Sequence, residues 1–82
     1  MRLIILSPAQ EIFNGDVTSV TVPGVNGRFQ VLKGHTALVS ALTEGQVDMV
    51  AANGDRNTWT ITGGFAEVLN NEVALLVSGL KA

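Results

Sequence analysis

One histidine, four serines and a glycine-rich stretch are the places where this 82-residue chain has residue types suited to chemistry. Residues 22 to 35 read VPGVNGRFQVLKGH and hold the sole imidazole, His35. A histidine-cluster metal centre cannot be assembled from one imidazole, and the carboxylates are scattered among turn residues rather than paired beside it. Ser7, Ser19, Ser40 and Ser78 lack the G-x-S-x-G elbow of a nucleophilic serine, and only His35 is available as a base. The chain has no cysteine, so thiolate catalysis, disulfides and cysteine-bound metals are excluded. Gly24-Val25-Asn26-Gly27 has GxxG spacing, but the Lys-Ser/Thr pair and the helix of a phosphate loop do not follow it. These glycines are read as a bend between strands, and His35 as a turn residue that bonds to backbone or meets a partner. Neither a metal nor a cofactor is expected. Trp59 alternates with Thr58 and Thr60, which points to a core position; exposed, it would instead be a carbohydrate platform.

The elements that would carry these residues are strands. Short apolar segments rich in valine, isoleucine and threonine are punctuated by turn residues, and helical periodicity is nearly absent. In Arg56 to Thr62 the apolar Trp59 and Ile61 share one face and three threonines the other. Asn53-Gly54-Asp55 before it suits the positive-φ positions of a tight hairpin, so Gln46 to Ala51 should pair antiparallel with Arg56 to Thr62. By the same logic Asn70-Asn71 joins Phe65 to Leu69 with Glu72 to Val77. Arg2 to Leu6 and Asp16 to Val22 read as further strands, separated by Ser7-Pro8 and Asn14-Gly15. Gly63-Gly64 marks a bend or a close backbone crossing. The expected fold is an all-β sandwich or small barrel forming one domain over residues 1–82.

Composition narrows the partners. A net charge of −2 offers no cationic field for phosphate backbones, and Arg28 with Lys33 makes only a small basic patch, so no nucleic-acid partner is expected. The apolar run Arg2 to Leu6 is too short for a signal-peptide core or a membrane span, so no direct membrane insertion is expected either. Hydrophobic residues make up 46% of the chain and charged ones 15%, where about a quarter is usual for the latter. Some apolar surface is therefore expected to face a partner.

Residues 23 to 45, PGVNGRFQVLKGHTALVSALTEG, resemble the hallmark segment of the epsilon subunit of the F-type rotary ATP synthase, called delta in mitochondria. Pro23, Gly24, Gly27, Phe29, Val31, Leu32, His35, Leu38, Leu42 and Gly45 occupy the positions of that pattern. Gln30 stands where the family usually has glycine and Ala37 where it has proline. Downstream, Thr62-Gly63-Gly64-Phe65-Ala66-Glu67-Val68 is similar to the family's S-G-G-F-x-E-V, and upstream Phe13-Asn14-Gly15-Asp16-Val17 is similar to its F-x-G-x-V.

The resemblance implies a β-sandwich of about ten strands in a non-catalytic rotor subunit of the central stalk. That subunit joins the gamma subunit to the polar loops of the c-ring and couples proton flow to ATP synthesis on other subunits. It would lie peripherally on the cytoplasmic face of the bacterial inner membrane. Val25, Asn26, Gly27 and Arg28 would face the c-ring, and His35, Thr36, Leu38 and Leu42 the gamma subunit. The competing reading from another class is a free-standing β-sandwich that binds a small ligand or carbohydrate on Trp59. Family members often continue into a carboxy-terminal helical hairpin that inhibits ATP hydrolysis and in some bacteria binds ATP. Here the sequence stops at Lys81-Ala82 after the last strand, so neither property is carried over. Calorimetry of the chain with ATP and magnesium is expected to give no saturable heat at micromolar ligand; a micromolar dissociation constant would contradict this.

Overall fold

The computed structural model describes residues 1–81. They form β1 (Arg2–Leu6), β2 (Glu11–Gly24), β3 (Gly27–Leu32), β4 (Leu38–Leu42), β5 (Gly45–Ala51), β6 (Arg56–Ile61), β7 (Gly64–Leu69) and β8 (Glu72–Val77), with no helix among the described residues. The all-β sandwich is as expected, but with eight strands rather than about ten. One reason is β2, a single strand of 14 residues. Asn14-Gly15 does not break it: the two residues run on in register opposite Ile4 and Leu3 of β1.

β2 serves both layers. Its first half pairs with β1, and its second half lies between β3 and β5. Across the change of partner the register with β5 shifts between Val17 and Ser19, a β-bulge. An extra residue reverses the in-out parity of everything after it. Val17 therefore faces inward on an odd number while Val20 and Val22 face inward on even ones, and all three are buried. One layer is β1-β8-β7-β4 and the other β3-β2-β5-β6, with the Gly24–Leu42 pair linking β2 to β4. β1 also pairs in parallel with β8, from Arg2↔Glu72 to Leu6↔Leu76.

Between the layers lies a wholly apolar core of residues such as Leu3, Ile5, Val20, Val22, Val31, Val47, Ile61, Val73 and Leu75, with no polar side chain buried among the described residues. Along most strands inward apolar residues alternate with outward-facing ones, and most polar residues fall on the outer faces. The two expected hairpins form. β7 and β8 meet through Asn70 and Asn71, both at positive φ (51° and 63°), as a two-residue turn requires. β5 and β6 meet through a loop in which the Asn53 side-chain oxygen accepts the Asp55 amide at 3.0 Å and Gly54 adopts φ 94°. Gly64 is the close crossing anticipated for the glycine pair: at φ 145°, a Cβ there would overlap the Leu76 carbonyl oxygen.

Trp59 faces inward on β6, opposite Val47, but at the open margin of the sandwich, where it is half-buried. Its ring packs on Phe13 of β2, centroids 5.4 Å apart and planes tilted by 58°. The two rings meet there, one from the first half of β2 and one from β6. Trp59→Ala is expected to lower unfolding stability by about 3 kcal/mol, the low end of the range for buried aromatics because part of the ring already meets water. Denaturant titration checks this, and an unchanged midpoint would show that the ring adds nothing to the core.

Candidate docking surfaces

The glycine-rich stretch becomes the β2–β3 hairpin. Gly24 must lack a side chain, since a Cβ would stand 2.7 Å from the Gly27 carbonyl oxygen, and Gly27 turns at φ 126°. Val25, Asn26 and Gly27 form an exposed tip, Val25 at 57%.

Arg28, at the flank of that tip, is engaged within the domain. Its guanidinium donates to the Gln46 carbonyl at 2.6 Å and to the Asp48 carboxylate at 2.8 Å, and Thr58 donates to the other Asp48 oxygen at 2.8 Å. Pro23 explains the first bond. Continuing the Thr21↔Asp48 register would set Pro23 opposite Gln46, and proline has no N–H to offer the facing strand. Arg28, paired with Pro23 across the hairpin, reaches over β2 and supplies the missing donors. The hairpin is thus strapped to β5.

His35 lies in an exposed turn after β3, at the amide that donates to Leu32 O at 3.0 Å, with Gly34 at φ 83°. Its Nδ1 is 2.7 Å from the Thr36 carbonyl oxygen. A carbonyl only accepts, so Nδ1 carries the hydrogen of this contact. This is the backbone-bonded turn histidine expected from sequence. Thr36 is exposed beside it, and Leu38 is half-buried against the core. Leu42 requires a correction as a contact residue. At 6% exposure its side chain belongs to the core, because β4 alternates and presents Val39 and Ala41 on the outside instead.

The two outer faces differ in kind. On β3-β2-β5-β6 the exposed residues are mostly polar, with Leu32 at the end of β3 the apolar exception, and Ser19, Thr21, Gln30, Asp48, Arg56 and Thr58 help line a groove of about 310 Å³. On β1-β8-β7-β4 the register places Leu6, Leu76, Phe65 and Ala41 in one row across four strands, with Val39 in the next. Val39 is 71% exposed and Phe65 56%. A shallow groove of about 430 Å³ beside Leu6, Pro8, Phe65 and Leu76 opens at one end of this face. Sequence reasoning missed the face, although alternation in Phe65-Ala66-Glu67-Val68-Leu69 carried the signal, since both faces of that segment are rich in apolar residues. Trp59 lines neither groove and packs on Phe13, so it is not the exposed platform that a carbohydrate-binding reading needs.

Fold and surface together define a β-sandwich domain whose distinctive features are a strapped hairpin and an exposed apolar sheet face. By sequence the chain belongs to the ATP synthase delta/epsilon chain β-sandwich domain family, whose model matches residues 1–81. It is 45% identical over 74 residues to the ATP synthase epsilon chain of Chlorobaculum tepidum, covering 90% of this chain and 84% of that one. Against the epsilon chain of Chlorobium limicola the identity is 41% over 80 residues, covering 98% and 91%. The same fold occurs in a cryo-EM structure of the Euglena gracilis mitochondrial ATP synthase, OSCP/F1/c-ring, at TM-score 0.87 and 24% identity, where the match covers 96% of this chain and 51% of that chain. It occurs again in the central stalk/c-ring structure of the Tetrahymena thermophila enzyme, at TM-score 0.81 and 19% identity, covering 99% and 65%. The chain thus spans about half to two thirds of the length of these solved chains.

The strap generates a measurable coupling. Arg28 and Asp48 are each nearly half exposed, at 44% and 45% of side-chain area, which limits the pair to about 1 kcal/mol. Arg28→Ala and Asp48→Ala should each cost about that much, and the double variant should cost clearly less than the sum in thermal unfolding. Additive effects would mean that the strap contributes nothing.

Proposed function

We propose that this chain is the β-sandwich of a non-catalytic rotor subunit, which fastens the gamma subunit to the c-ring of a proton-translocating F-type ATP synthase. It would then lie peripherally at the cytoplasmic face of the bacterial inner membrane. No helix of the described residues is long and apolar enough to cross a membrane, so attachment would run through the complex.

The observation that carries this reading is the apolar face of β1-β8-β7-β4 in a domain of this family. An open row of Leu6, Leu76 and Phe65 is the surface a protein interface needs at its centre. We assign that face, with Val39 and Ala41 of β4, to the gamma subunit; His35, Thr36 and Leu38 would lie at its margin. The tip Val25 to Gly27 is assigned to the polar loops of the c-ring, with Arg28 holding the tip in place from its flank. A strapped, glycine-shaped hairpin suits that role because it keeps its shape under load. Torque would pass through the domain while chemistry stays on other subunits.

The purified chain is expected to retain gamma subunit and c-ring in a pull-down. Phe65→Ser is expected to abolish gamma capture with the thermal midpoint preserved, since truncating a central aromatic anchor removes about 2 kcal/mol or more of binding. Gamma capture unaffected by Phe65→Ser would reject the assigned face.

A further inference from the structure

Resting on that assignment of the face, we infer that Glu67 is its specificity determinant, and that the docking partner carries a lysine or arginine positioned to pair with the Glu67 carboxylate. Glu67 lies in the middle of the apolar face. Along β7 its neighbours on the same side are Phe65 and Leu69, both more than half exposed. Across the sheet it stands directly between Val39 of β4 and Ala74 of β8. Among the described residues its carboxylate has no salt bridge and no hydrogen bond to a side chain, while the two ion pairs that do form join Arg28 to Asp48 and Lys81 to Glu44.

Free in water, Glu67 is solvated. Once a partner covers Phe65, Val39 and Leu76, it is stripped of water among hydrocarbon neighbours, and a buried unpaired carboxylate is strongly unfavourable. The face therefore admits a partner only if that partner brings a cation to this point, and rejects apolar surfaces that do not. A second copy of this chain does not meet the condition. Among the described residues the only cation on the face is Arg2 at its corner, in register between Asp16 and Glu72, so two opposed copies would bring together an excess of carboxylates. Glu67 thus keeps an apolar face from pairing with itself while leaving it open to a basic partner.

The test measures binding of the full chain to the purified gamma subunit across a range of salt. Glu67→Gln, nearly isosteric, should weaken binding about tenfold, and Glu67→Lys about a hundredfold or more, with thermal midpoints unchanged because the side chain is exposed. Replacing one basic gamma residue by glutamate should restore binding of Glu67→Lys. Wild-type binding that is lost in Phe65→Ser but unchanged or tighter in Glu67→Gln would overturn the role of Glu67 and leave the face assigned. No binding of gamma by the wild-type chain would overturn the assignment and this inference together.

Discussion

The parity change in β2 is the constraint on which the rest of the domain depends. One strand of 14 residues must line the core in both of its halves while pairing first with β1 and then with β3 and β5. A regular strand that changed sheets would turn Val20 and Val22 out to solvent. The bulge after Val17 keeps them buried, and Gly15 leaves room for the Phe13 ring, which would meet a Cβ at 3.1 Å. The position of Pro23 opposite β5, and with it the Arg28 strap, follows from the register β2 takes after the bulge.

With the core wholly apolar, function is pushed to the outside, and there the two layers diverge. The β3-β2-β5-β6 face carries hydroxyls, amides and the Arg28–Asp48–Thr58 network, and water satisfies it. Its opposite number exposes leucine, valine and phenylalanine with Glu67 among them and Arg2 and Glu72 at one edge. An exposed apolar face of this kind is the surface a partner protein covers.

Sequence pattern made the β5–β6 and β7–β8 hairpins legible because both the turn chemistry and the alternation are local. The strands Arg2–Leu6 and the later part of β2 were legible for the same reason. Asn14-Gly15 misled: the same dipeptide that turns a hairpin also runs through a strand where the partner register holds it. The parallel β1–β8 pairing left no local trace, since it joins segments from opposite ends of the chain. At the candidate site, family resemblance drew attention to Leu42 as a contact, but only the pairing of β4 with β7 tells which side of the strand meets water, and that side holds Val39 and Ala41. Likewise Arg28 read as part of a basic patch, because its acceptors lie 18 and 20 residues away on a strand whose register had to be known first.

The parallel pairing of β1 with β8 has a consequence for how the domain comes into being. Leu3 finds Val73, and Ile5 finds Leu75, only when β8, the last of the eight strands, has been synthesised. Until then β1 has β2 as its sole neighbour, and the face later shared by β8 and β7 is an unfinished edge. Contacts so distant in sequence are slow to form. The β3-β2-β5-β6 pairings need nothing from β8, whereas the other layer closes only when β8 reaches β1.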